Sequence, residues 1–306
     1  MSSATSEITI EGRRVALPNL EKTMYPRADF TKGAVIDYYI KIAPVLLPHL
    51  AGRPLTLKRY PDGVEGPFFY EKECPSHRPT WVKTKRVESR NASGEVNYCV
   101  PNGLPSLVWV ANLASLELHT FLHKAKALTQ PTAVAFDLDP GPPANIVDCC
   151  RVALEMRAIL HGLDLESFPK TSGSKGLQLY VPLNSRTSYE RTKAFAHAMA
   201  LHLEAQLPDL VVSRMEKARR KGKVFIDWSQ NDDHKTTVCV YSLRAKDRPT
   251  VSTPVTWEEV TRAAESGDVL SFTADDVLKR VATLGDLFEP VLSLQQKVPG
   301  KALAAA

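Results

Sequence analysis

Ala133-Val134-Ala135-Phe136-Asp137-Leu138-Asp139-Pro140 is an apolar run that carries two acids one residue apart near its end, and on a β-strand successive side chains point to opposite faces. Val134, Phe136 and Leu138 fall on one face and Asp137 and Asp139 on the other, so two carboxylates point the same way. Val224-Phe225-Ile226-Asp227 repeats the theme, an apolar strand ending in an acid. Extended segments at 167–170 and 177–183 flank Thr171-Ser172-Gly173-Ser174-Lys175-Gly176. In the second segment Gln178 and Tyr180 share one face, while Leu177, Leu179 and Val181 form the apolar one. Helical patterns predict helices over residues 32–47, 104–122, 145–160 and 189–206. Two more begin near Thr256 and Thr273, where a threonine N-cap precedes acids of the first turn. Strands and turns fill 55–100, and another strand covers 236–241. The pattern is α+β, with mostly antiparallel sheets flanked by helices and a site in a central cleft.

Composition narrows the class. The chain has 306 residues, 43% of them hydrophobic, a size that allows one large domain or two lobes; the expectation is one catalytic domain over 1–306 with a disordered tail at 295–306. Five cysteines, no secretory leader and no apolar stretch of ~18 residues predict a reduced, soluble, cytoplasmic protein that no membrane anchors. Cys149 and Cys150 read as core thiols, and Cys74, His77 and Cys99 lack the paired Cys-x-x-Cys spacing of a zinc site. His119 and His123 fall four apart at the end of the predicted 104–122 helix, the second just past its last residue, but no third zinc ligand is near. The net charge is +5, and Arg214, Lys217, Arg219, Arg220, Lys221 and Lys223 crowd the approach to Asp227. A polyanion bound for those acids would need such a surface.

Like charges on one strand face repel, and a hard divalent cation with oxygen ligands offsets the repulsion. With Asp227 the acids form a platform for two metals about 3.5–4 Å apart, which suits phosphoryl transfer. Asp139-Pro140-Gly141 also reads as a plain turn. In 171–176 two glycines let backbone amides converge, and two serines and a lysine add donors and charge, as in an anion cradle. It lacks Walker A spacing, and a simple hairpin turn is the other reading. Lys58 and Arg59, close to Phe68-Phe69-Tyr70, offer cations and aromatics that could stack on bases, or core residues.

Four ordered motifs carry a resemblance across nearly the whole chain: Asp137-Leu138-Asp139-Pro140-Gly141, Thr171–Gly176, Val224-Phe225-Ile226-Asp227-Trp228-Ser229-Gln230-Asn231-Asp232, and Tyr241-Ser242-Leu243-Arg244. They resemble the polymerase domain of bacterial DNA ligase D, in the archaeo-eukaryotic primase superfamily. The resemblance implies a primase-polymerase fold and a template-dependent nucleotidyltransferase. Such an enzyme uses two Mn2+ or Mg2+ ions and nucleoside triphosphates, favours ribonucleotides, and fills short gaps in end joining or excision repair.

Position by position, the resemblance makes Asp137, Asp139 and Asp227 metal ligands. His119, Ser172, Ser174, Lys175, Gln178, Gln230 and Arg244 would bind the nucleotide. Asn19, Lys22 and Lys32, within residues 1–55, would grip a downstream 5′-phosphate. Lys58, Arg59, Phe68 and Phe69 would follow the template, and Arg220 would lie near the primer 3′ end. The implied partners are gapped or broken DNA, a ligase for sealing and an end-binding protein, in a bacterial cytoplasm at the nucleoid during repair. Gln178 departs from the family, which has histidine there; an amide donates a hydrogen bond but cannot carry imidazolium charge. No Lys-x-Asp-Gly ligase signature occurs, since Pro61-Asp62-Gly63 follows Arg59 and Tyr60. A metal-dependent nuclease would not need the 172–175 cradle, and a non-catalytic end-binding module would not need the acids.

Overall fold

A computed structural model of the chain describes residues 5–88 and 94–299. The chain forms two compact units, each assembled from separate stretches of sequence: Met1–Lys126, Thr236–Ser252 and Phe272–Gly285 in the first, and Ala127–Lys235, Thr253–Ser271 and Asp286–Ala306 in the second.

The first unit is built on a six-stranded antiparallel sheet, in the order Thr237–Val238, Ser115–Thr120, Leu55–Arg59, Glu95–Val100, Lys83–Glu88, with Phe69–Glu71 also pairing on Leu55–Arg59. Helix Lys32–Leu50 starts where the Thr31 hydroxyl accepts from the Ala34 amide, and packs on helix Leu104–Asn112. Its buried Tyr38 and Tyr39 donate their hydroxyls to the Tyr241 and Leu116 carbonyls, so each aromatic body is buried with its polar tip satisfied. Cys74 and Cys99 form a disulfide, contrary to the expectation that all five thiols are reduced.

The second unit holds a five-stranded sheet, ordered Phe168–Thr171, Leu177–Pro182, Ala133–Pro140, Val224–Asp227, Val211–Val212. All pairs are antiparallel except the last. Helices Ile146–His161 and Tyr189–Gln206 pack on the central acidic strand. Both begin at the expected places: Asn145 and Asp148 form a capping box, and the Ser188 hydroxyl accepts from Arg191. Cys149 and Cys150 are buried free thiols.

Three expectations change. The predicted 104–122 helix ends at Asn112; Ala114 turns at φ 58° and Ser115–Thr120 is a strand. That strand lies between two neighbours; Leu116 and Leu118 alternate with Ser115, Glu117 and His119, but the alternation is too short to stand out directly after the apolar run of helix Leu104–Asn112. His119 and His123 therefore do not share a helical turn. Leu177–Pro182 is buried throughout, Gln178 and Tyr180 included, because a strand flanks it on each side and helices cover the sheet. Finally, the tail expected from residue 295 is held at Gln296, whose side chain donates to the Pro182 and Glu166 carbonyls; residues 300–306 lie outside the described residues.

Candidate active site and nucleic-acid interface

Antiparallel register sets Asp137 directly opposite Asp227 on one side and Gln178 on the other. Asp139 follows two residues along, on the same face as Asp137. Burial, and then the Asp227 and Asp139 carboxylates, push Asp137 up from 3.8 to about 6, against the hydrogen bond from Gln178 and the charge of Lys170. Burial leads, and the two neighbouring carboxylates add like-charge repulsion to it. Asp139 is engaged by Lys175 Nζ at 2.9 Å and faces Arg220 at 3.5 Å. Asp227 accepts from the Ser229 amide at 3.0 Å, the Ser229 hydroxyl at 2.5 Å and Gln230 Nε2 at 2.9 Å. Among the described residues no three His, Cys, Asp or Glu side chains are gathered tightly enough to enclose a metal ion as they stand. The three acids offer carboxylate oxygen alone, donor chemistry that suits a hard divalent cation.

The cradle leans on the acidic strand. A Cβ on Gly176 would come within 2.2 Å of the Leu138 carbonyl, so only glycine lets the hairpin approach this closely. Ser172 Oγ accepts from the Ser174 and Gly176 amides, which draws the loop inward, and Lys175 Nζ also reaches the Pro140 carbonyl. The basic segment is anchored on the same turn: Gly141 N donates to Lys223 O and Gly222 N to Gly141 O. Arg220 stacks 3.8 Å above Phe225. Asp139, Lys175, Lys217, Arg220 and Lys221 line one surface cavity over Pro140 to Pro142.

In the first unit a single buried carboxylate gathers two cations and a histidine. Glu117, 2% exposed, faces His119 Nε2 at 2.9 Å, Arg244 Nε at 3.3 Å and Lys58 Nζ at 3.5 Å, and accepts from the Ala245 amide. Burial alone would raise its pKa, but the His119 hydrogen bond and the Arg244 and Lys58 charges hold it far below the usual carboxylate range. Burial lowers His119. Lys58 Nζ lies 4.2 Å over the Phe68 ring, and Arg59 lies over Phe69 while pairing with Glu71 at 2.9 Å. Phe68, Phe69 and Tyr70 are exposed by 52, 44 and 55%, so these aromatics form a surface platform and not core.

Asn19, at φ 57°, Lys22 and Lys32 also converge: the Lys22 amide donates to Asn19 O and the Lys32 amide to Lys22 O. Lys22 pairs with Asp62 at 2.8 Å, and Lys32 Nζ donates to Pro18 O. Burial, followed by the Lys22 and Arg59 charges, lowers Lys32 to about 8.

The model of the family described as LigD, primase-polymerase domain, matches residues 31–288. The chain belongs to the LigD primase-polymerase domain family. Its members are nucleotidyltransferase-type polymerases. The multifunctional non-homologous end joining protein LigD of Mycolicibacterium smegmatis is 43% identical over 280 residues, which are 91% of this chain but 36% of that protein. The bifunctional LigD of Bacillus subtilis is 29% identical over 273 residues, 89% of this chain and 43% of that one. The chain thus spans a little over a third of the first relative's length. The solved polymerase domain of Mycobacterium tuberculosis ligase D, in complex with DNA, superposes with a TM-score of 0.85 at 39% identity, over 92% of this chain and 99% of that one.

Within this LigD primase-polymerase domain the expected residues fall into four groups. Asp137, Asp139, Asp227, Ser172, Ser174, Lys175, Gln178, Gln230 and Arg220 belong to the second unit. In the first unit Lys58, His119 and Arg244 surround Glu117, Arg59, Phe68 and Phe69 form the platform, and Asn19, Lys22 and Lys32 form a cationic corner. Gln178 is buried and occupied, its Oε1 accepting from Lys170 Nζ at 2.5 Å. Sequence reasoning missed Glu117, Lys170 and Asn231. Glu117 did leave a signal, an acid inside Leu116-Glu117-Leu118, since a charge in a buried strand needs partners. Lys170 left none.

Proposed function

We propose that this domain extends a 3′-hydroxyl across short gaps in DNA, directed by a template, with nucleoside triphosphates and a preference for ribonucleotides, in end joining or excision repair. The observation that carries the reading is the register that sets Asp137 opposite Asp227 with Asp139 beside them. Two Mn2+ or Mg2+ ions held by these acids would supply charge stabilisation at the leaving pyrophosphate and a more acidic attacking hydroxyl. Ser172, Ser174, Lys175, Gln178, Gln230, His119 and Arg244 would hold the triphosphate, with Lys175 moving from Asp139 to phosphate. Arg220 would meet the primer end, and Lys58, Arg59, Phe68 and Phe69 the template strand, rings stacking and cations neutralising phosphate. Asn19, Lys22 and Lys32, in residues 1–55, would hold a downstream 5′-phosphate. The chain would act as one catalytic domain over 1–306, beside a ligase that seals the product and an end-binding protein, in a bacterial cytoplasm at the nucleoid. Among the described residues no helix is long and apolar enough to cross a membrane.

Primer extension on a gapped duplex, with and without the downstream 5′-phosphate and with ribo- or deoxyribonucleotides, tests this. Asp137→Ala or Asp227→Ala should leave less than about 1% of the rate with DNA binding retained, since about 3 kcal/mol of lost transition-state stabilisation is more than a hundredfold. Substantial extension by either variant at saturating metal would overturn the assignment. Loss of label from duplex without nucleotide would indicate a nuclease instead.

A further inference from the structure

Lys170 is buried to 1% exposure on the strand Phe168–Thr171, and nothing in the proposed chemistry uses it. A lysine ammonium is almost never buried without compensation, because desolvating it is costly. Its position shows what it serves. Cross-strand register places Lys170 opposite Gln178, and Gln178 opposite Asp137, so three side chains form a row across three adjacent strands. Lys170 Nζ donates to Gln178 Oε1, and Gln178 in turn hydrogen-bonds Asp137. Tyr180 lies beneath the ammonium at 5.5 Å.

The order of the row is chemically forced. Lysine only donates and an ionised carboxylate only accepts, whereas an amide does both and can flip. With a donor-only group on one side, the amide oxygen must face Lys170 and its NH2 must face Asp137. The amide is thereby committed to the carboxylate.

We propose that Lys170 is a positioning residue that acts through Gln178 to orient Asp137 as a metal ligand, one carboxylate oxygen held by the amide and the other left for the cation. The proposal rests on the reading of Asp137 as a ligand. It reassigns Gln178 from a triphosphate contact to a support of the metal site. Partners that fix a ligand's orientation typically change metal affinity by about 10–100-fold when removed.

The test measures Mn2+ binding by electron paramagnetic resonance, without nucleotide or DNA, and kcat and nucleotide KM at saturating Mn2+. Lys170→Met and Gln178→Leu should each weaken Mn2+ binding by about tenfold or more and lower kcat while nucleotide KM changes by less than about threefold. The double variant should be no worse than the worse single one, because both cut the same row. It also leaves no buried ammonium without its acceptor, so it carries the test where Gln178→Leu alone fails to fold. Lys170→Gln keeps a donor for Gln178 without the charge and should recover most of the affinity. Wild-type Mn2+ affinity in the double variant, or additive losses in the two singles, would overturn the proposal. A rise in nucleotide KM without a change in Mn2+ affinity would overturn it too, and return Gln178 to the triphosphate. Asp137→Asn is the control: if that variant binds Mn2+ as wild type does, the metal-site reading itself fails; if it loses binding while the Lys170 and Gln178 variants keep theirs, only the row fails.

Discussion

Glu117 behaves as an anchor for cations and not as a surface acid. Its depressed pKa sets the sign of its pH dependence: the stabilisation is complete above the unfolded value near 4.5 and is lost only as pH falls through the much lower folded value. Glu117→Gln should therefore cost about 3–5 kcal/mol, the typical penalty for stranding buried charges, and the loss should stay flat from about pH 8 to about pH 5 in denaturant titrations. A loss that disappears near pH 5 would mean an ordinary carboxyl. Lys32 works in the opposite sense. Its pKa of about 8 means that its charge fades as pH rises through that value, well before an ordinary lysine at 10.5. The proposed preference for gapped DNA bearing a downstream 5′-phosphate, read by fluorescence anisotropy, should accordingly decline above about pH 8. A preference that persists unchanged to about pH 10 would show that Lys32 does not supply it. The acids and the cradle were legible in the sequence because their motifs are local. Glu117 showed only as an acid between leucines and Lys170 not at all, because Arg244 reaches Glu117 from far along the chain and Gln178 meets Lys170 only through strand pairing.

Among the elements, those with local signals were read well. Helix Tyr189–Gln206 has its predicted bounds, and the helices after Thr256 and Thr273 start with the capping boxes that their acids foretold. The Ser115–Thr120 strand was taken for helix because its alternation of Leu116 and Leu118 with polar residues is short and follows directly on the apolar helix Leu104–Asn112. The predicted 236–241 strand shrinks to Thr237–Val238, where pairing with Ser115–Thr120 ends. Beside the acidic strand, a side chain does the work of backbone. Fully buried Asn231 donates to the Ala135 carbonyl at 2.7 Å and accepts from its amide at 3.0 Å, tying the turn after Asp227 to the strand that carries Asp137. Asn231→Ala strands both groups and should destabilise the protein by about 2–4 kcal/mol, with an equilibrium denaturation midpoint shifted accordingly. A change below about 0.5 kcal/mol would mean that water replaces the amide.

At the scale of the whole molecule, the sequence order and the spatial order diverge. Each unit draws on three stretches of chain, and the first needs Thr237–Val238 for its sheet and Arg244 for its cation cluster. Nothing local in the sequence announces this interleaving, which is why residue patterns indicated the elements and not their grouping. A chain stopped at Lys235 should therefore lack a cooperative thermal transition, although it keeps 126 consecutive residues of the first unit. A transition close to that of the complete chain would show that the first stretch suffices by itself. The same arrangement has a consequence during synthesis. As the chain leaves the ribosome, the 5′-phosphate corner and the aromatic platform emerge long before Arg244, so the groups proposed to grip DNA exist before the cluster proposed to receive the nucleotide is complete. An interrupted chain would carry those groups without the strand and the cation cluster that complete their unit, so the capacity to grip a DNA end and the capacity to copy across it should appear together, only once the later stretches have been made.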